Sequence, residues 1–184
     1  MRNRTEAPES FAGSLLLAHP AMRDPNFRKT VVLMTTHSTD GAMGVVLNRP
    51  LKKRLGHLGG DFALGPLAEV PIFSGGPVQA EQLIIAAWRI HPSGFQLHLG
   101  VDPEKAAELL TAGEGTHVRA FFGYSGWSAG QLEKELEGST WVVATPPTDL
   151  FTQPDETALW RTVLVRKGPE WRLLTDEPEE TGEN

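Results

Sequence analysis

Apolar residues follow two rhythms along this chain. Dense, β-branched runs fill the first half, and helical spacing enters only after residue 100. Residues 14–19, 30–36 (Thr-Val-Val-Leu-Met-Thr-Thr) and 42–48 predict three strands. The intervening residues 37–41 end in Asp40-Gly41, a length and composition that predict an antiparallel hairpin. Residues 51–71 are punctuated by Gly56, Gly59, Gly60, Gly65, Pro66 and Pro71, and predict loop with little regular structure. Ile72-Phe73 reads as a short strand ending at Ser74-Gly75-Gly76-Pro77. Residues 83–90 begin with six unbroken apolar positions and predict a strand covered on both faces. Phe95, Leu97 and Leu99 alternate with Gln96 and His98, the pattern of a half-exposed strand.

The helical signals are local. Asp102-Pro103-Glu104 supplies an N-cap, a proline at the first helical position and an acid in the first turn. Ala106, Leu109 and Leu110 form the apolar stripe, and Gly113 ends it. Residues 117–123 predict a strand. Ser128 and Gln131 fit a capping box that starts a helix reaching about residue 137. Residues 141–144 predict a further strand. Over residues 156–167, Leu159, Trp160, Val163 and Leu164 share one helical face; the Thr-Val-Leu-Val run leaves a strand as the alternative. Residues 171–174 read as a strand that closes the sheet. The class is α+β: a mixed sheet packed by helices, in one domain at this length.

Composition narrows the function. The chain holds no cysteine, which excludes disulfides, thiolate metal sites and cysteine nucleophiles. Residues 1–10 are polar, the next apolar run is only Leu15 to Ala18, and no run approaches a membrane span. These features read as a cytoplasmic chain with no membrane segment. The formal charge is −6, from 17 bases and 23 acids. Five of those acids fall in residues 175–184, which reads as a disordered acidic tail. The body is then close to neutral, which argues against direct nucleic-acid binding.

Candidate chemistry sits in the turns. The chain has no phosphate-loop, dinucleotide or HExxH signature, and its six histidines are scattered singly. Neither a metal nor a cofactor is called for. Gly123-Tyr124-Ser125-Gly126-Trp127 resembles a nucleophile elbow, but Trp127 replaces the final glycine and no histidine follows His117. The same segment, read as a strand–helix turn, could offer backbone N–H groups to an anion, with Trp127 stacking on a flat ligand. Asp24-Pro25-Asn26-Phe27 reads as a one-turn helix with polar residues to spare. Asn48-Arg49-Pro50-Leu51-Lys52-Lys53-Arg54, with His57, is the single basic cluster.

Taken together, Asp24-Pro25-Asn26-Phe27, the run from Gly41 to Pro50, Gly75-Gly76-Pro77-Val78 and Gly123-Tyr124-Ser125-Gly126-Trp127…Gly130-Gln131-Leu132 resemble the YqgE/AlgH family of bacterial proteins, over residues 11–174. The resemblance implies an α+β fold with a curved, partly barrel-like mixed sheet surrounded by helices. It implies no settled activity; a transcriptional-regulator label travels with one branch. Two departures stand out: Ser125 where alanine is common, and a glycine-rich stretch over residues 55–65 where a helix is expected. Loops on a rigid sheet are where sites form, so the candidate ligand-binding set is Asp24, Asn26, Asn48, Arg49, Gly75, Gly76, Trp127 and Gln131.

Two functional expectations follow. One is a binding or regulatory module for a small anionic ligand or a protein partner. The other is a hydrolase or transferase that uses Asp24 or His37 as a general base near Arg49. Both require these separate turns to meet in one polar hollow.

Overall fold

Both faces of the central strands are covered, which accounts for their unbroken apolar runs. The computed structural model describes residues 10–91, 94–113, 115–152 and 158–176. In β1 (Leu15–Ala18), Leu15 and Leu17 enter one apolar cluster, and Leu16 and Ala18 enter another on the opposite face. β2 (Val31–Ser38) repeats the split, Val31 and Leu33 against Val32 and Met34. A tight turn returns the chain as β3 (Gly41–Val46), antiparallel to β2 with Ser38 opposite Gly41. That is the hairpin the Asp40-Gly41 pair predicts.

Six further strands complete one nine-stranded sheet. They are β4 (Pro50–Arg54), β5 (Pro71–Ser74), β6 (Val78–His91), β7 (Gly94–Leu99), β8 (Thr116–Ser128) and β9 (Trp141–Ala144). The order is β4-β5-β8-β3-β2-β1-β9, with β6 also paired to β8 and β7 to β6. β5 runs parallel to β8 and every other pairing is antiparallel, so the sheet is mixed. β8 joins the two halves. Thr116 to Phe122 pair with β6, which pairs again with Tyr124 past a bulge, and Ser125 to Ser128 pair with β3. Gly123 sits between them at φ +73°, where an added Cβ would lie 2.4 Å from the Gly76 carbonyl oxygen. Only glycine fits that bend, and the sheet curls there into a half-barrel.

The helices close the faces. α3 (Leu159–Lys167) buries Leu159, Trp160, Val163 and Leu164 against Leu15, Leu33, Trp88 and Phe121, and the Trp160 indole donates to the Ala18 carbonyl at 2.8 Å. α1 (Pro103–Thr111) places Ala106 over Ile85, Val118 and Ala120. α2 (Gln131–Glu137) places Leu132 over Val32, Met34 and Val46. α4 (Glu170–Thr175) follows α3.

Several sequence expectations are corrected. Residues 51–71 are not all loop: Pro50–Arg54 pair with β5, and Leu55–Leu58 and Gly60–Phe62 form 3-10 turns. Those short turns replace the helix the family resemblance suggests, because four glycines interrupt the stretch over residues 55–65. Residues 123–127 are no strand–helix turn, since β8 runs on to Ser128. The helix after it starts from Gly130, at φ +76°, so Ser128 is not its N-cap. Only half of the expected box forms: the Gln131 side chain accepts from the Ser128 backbone N–H at 3.0 Å. Residues 171–174 are helical in α4, which opens at Pro169, whose fixed φ of −65° suits a helix start and whose missing N–H needs no partner there. Thr175 ends that helix and Asp176 pairs with Arg161, so these two residues are folded. Residues 1–9 and 177–184 lie outside the described residues, as does the start of the helix expected from 156.

Candidate functional site

Four of the eight candidate residues meet at one turn. Asp24 caps it by accepting from the Asn26 N–H at 2.8 Å, and the Arg28 N–H returns to the Asp24 carbonyl at 2.8 Å. Asn48 is buried beneath. Its Oδ1 accepts from the Val31 N–H at 2.9 Å, and its Nδ2 donates to the Lys29 carbonyl at 2.8 Å. Arg49 forks onto the same turn, Nη1 to the Pro25 carbonyl and Nη2 to the Arg28 carbonyl, both at 3.1 Å. Burial, and then the nearby Arg28 charge, lower its pKa, and Asp24 partly offsets them. A guanidinium stays charged through such shifts. The hydrogen bonds of this turn are therefore spent on the chain's own backbone, although only Asn48 is buried and Asp24 and Asn26 are exposed.

Gly75 and Gly76 pack on β8 instead. The Gly75 carbonyl accepts from the Val46 N–H at 3.0 Å and from the Ser125 hydroxyl at 3.1 Å. At Gly76, φ +149°, an added Cβ would lie 2.3 Å from the Tyr124 backbone. These glycines allow two backbones to approach. Ser125 is wholly buried and its hydroxyl is engaged, which is incompatible with attack on a substrate.

Trp127 and Gln131 belong to a third group centred on Glu135. The indole N–H groups of Trp127 and Trp141 both donate to its Oε2 at 2.8 Å, and Gln131 Nε2 donates to its Oε1 at 3.0 Å. Phe27, from the first turn, lies edge-on to Trp141 with ring centres 5.6 Å apart. The three groups are thus linked by packing, but they do not open together. The shallow depression beside Trp127, about 480 Å³, is walled by Thr36, Ser38, Asp40, Met43 and Tyr124, and includes none of the other seven candidates.

His37 is held elsewhere. Its Nδ1 accepts from the Phe11 N–H at 3.1 Å, which leaves the proton on Nε2, 2.6 Å from Glu133 Oε1. That hydrogen bond holds the Glu133 carboxyl below its usual range. Among the described residues His37 and Arg49 share no partner, so the His37 form of the enzymatic expectation is not assembled; Asp24 does stand at the Arg49 turn, with one carboxylate oxygen held by the Asn26 N–H.

A different region has the shape of a binding site. A groove of about 600 Å³ runs between the Gly60–Phe62 turn and the start of α1. Phe62, Leu64, Pro66, Leu67 and Ala107 supply its apolar wall, and Leu64 is 89% exposed. A second depression of about 280 Å³ shares Phe62 and Pro103 with it and continues along Leu83, Ile85 and Val101. Nothing in the sequence reading singled out these residues. The available signal was Asp61-Phe62-Ala63-Leu64, an apolar pair inside a stretch too rich in glycine to bury it.

A buried cation was also missed. Arg119, 7% exposed, lies over the Phe73 and Phe151 rings at 4.5 and 5.1 Å and donates to the Leu47 carbonyl. Burial, and then this charge, lower the pKa of the neighbouring His117. Lys52, Lys53 and Arg54 stand exposed on β4, a sheet edge, where charge blocks pairing with another chain. Among the described residues, no group of three acids or histidines could hold a metal ion, and no helix is long and apolar enough to cross a membrane.

The architecture defines a single-domain α+β protein with a curled half-barrel sheet, and solved structures share it. A crystal structure of a Corynebacterium diphtheriae protein matches at TM-score 0.71 and 23% identity, covering 95% of this chain and 94% of that one. The solution structure of the AlgH protein from Pseudomonas aeruginosa matches at TM-score 0.63 and 32% identity, covering 95% and 98%. The family model DUF179, AlgH-like, matches residues 15–172. A UPF0301 protein of Streptomyces coelicolor is 38% identical over the full length of both chains, and one of Chlorobium phaeobacteroides is 33% identical over 94% of this chain and 95% of its own. The chain belongs to the AlgH-like, UPF0301 family.

Proposed function

We infer that this protein is a non-catalytic, cytoplasmic binding module that docks a segment of a protein partner in the groove beside α1. The observation that carries this reading is the pair of joined apolar depressions on either side of Phe62 and Pro103. Two linked hollows suit an extended chain with side chains on both sides of a ridge better than one small molecule. A regulatory role would then act through the partner, and the near-neutral body gives no reason to invoke direct contact with DNA. The small-anion alternative loses its main support, because Arg49 is already committed to backbone carbonyls of its own chain.

A photo-crosslinking residue placed at Ala107 in the full-length protein, in living host cells, tests this reading. It should give a discrete protein adduct that disappears when Leu64→Asp is added. A crosslinker at Glu137, on α2, should give none. Equal labelling from both positions, or none from either, would overturn the docking role.

A further inference from the structure

The rim of this groove carries charge of one sign. Asp61 stands on one lip, and Asp102 and Glu104 on the other. Asp61 and Glu104 have no hydrogen bond or ion pair among the described residues. Asp102 lends one oxygen to the Lys105 N–H at 2.8 Å, which caps α1. The Lys105 ammonium turns to Glu108 at 3.3 Å, so it does not neutralise the rim. Among the described residues, no lysine or arginine lines the groove or the adjoining depression. An apolar floor inside an acidic rim is complementary to an apolar side chain flanked by cations.

Building on the docking role inferred above, we propose that the occupant is a basic protein segment with two apolar anchors flanked by lysine or arginine. One anchor fills the hollow formed by Leu64, Leu67 and Ala107. The other crosses the Phe62–Pro103 ridge onto Leu83 and Val101. The flanking cations lie against Asp61 and Glu104. Apolar contact sets how long the segment stays, and the rim charges set which segments arrive and how strongly salt weakens them.

The test uses the full-length protein and three short labelled peptides, followed by fluorescence anisotropy. One peptide carries a leucine and a phenylalanine between arginines. The second replaces those arginines with glutamates, and the third replaces the two anchors with serines. The arginine peptide should bind saturably, and the other two should bind at least about tenfold more weakly. The double variant Asp61→Lys/Glu104→Lys should lose about tenfold toward the arginine peptide and gain toward the glutamate peptide. Both positions are exposed, so the variant should fold, with a melting temperature lowered by only a few degrees because Glu104→Lys places a cation in the first turn of α1. Equal binding of the arginine and glutamate peptides, indifference to the charge reversal, or no binding of the arginine peptide would each overturn the basic-segment assignment. The crosslink at Ala107 does not depend on rim charge. An adduct there together with charge-indifferent peptides would leave the docking role standing and remove only this assignment.

Discussion

The turn over residues 24–29 and the groove beside α1 differ in where their chemistry points. At the turn, a carboxylate, a buried amide and a guanidinium are all present, and each is satisfied by its own backbone. At the groove, Leu64 faces water and Phe62 is half-buried, with the Asp61 and Glu104 carboxylates unpaired among the described residues. Residue type is therefore a poor guide to function here. Polar residues that look available are tied to the chain's own backbone, and apolar residues in an unpromising loop line an open groove.

That comparison can be broken first at Asn48. Asn48→Ala orphans the Val31 N–H and the Lys29 carbonyl, and should cost about 3 kcal/mol in chemical denaturation. A stable variant that lost only ligand binding would reverse the roles of the two regions. Glu135→Ala leaves two indole N–H groups without an acceptor and should cost about 2 kcal/mol, with a changed near-ultraviolet signal from Trp127 and Trp141. Arg49→Ala should cost about 1 kcal/mol, since its two hydrogen bonds are partly open to solvent.

A smaller effect is set by pH. Glu133 has a folded pKa below its ordinary 4.5, so the unfolded chain binds the proton more readily. Its contribution is present above that ordinary value and is lost as pH falls through the lower folded one. Denaturation midpoints followed into the acid range should drop less steeply for Glu133→Gln than for wild type. The smallest change is expected at the groove itself. Leu64→Asp should alter stability by less than about 0.5 kcal/mol while abolishing the Ala107 crosslink. A large loss of stability there would mean that Leu64 belongs to the core after all.

Strands were legible in the sequence because burial on both faces leaves unbroken apolar runs, as at Leu15–Ala18. The hairpin at Asp40-Gly41 and the α1 start at Asp102-Pro103 were legible because local geometry demands those residues. Pro50–Arg54 escaped notice because an exposed edge strand rich in lysine lacks the apolar alternation that marks a strand. The path of residues 123–128 was misread because glycines that bend a strand look the same as glycines that end one. At residues 171–174, tryptophan and two leucines suit either state, and Pro169 just ahead of them suits a helix start as well as a strand start. Asp24, Asn26, Asn48 and Arg49 do meet at one turn, apart from the other four candidates, but the commitment of Asn48 and Arg49 to distant backbone carbonyls has no local signature. The groove depends on two distant segments meeting, Gly60–Leu67 and Asp102–Ala107, and neither reveals the other.

β8 ties the sheet together. A single strand is hydrogen-bonded into both halves of the sheet, so neither half can lose its order without stripping partners from the other. Slow amide exchange along Val118–Phe121 and along Ser125–Trp127 should therefore report the same opening free energy, that of global unfolding. The bend at Gly123 does not divide the molecule into separable parts; it makes one cooperative unit of two differently oriented halves.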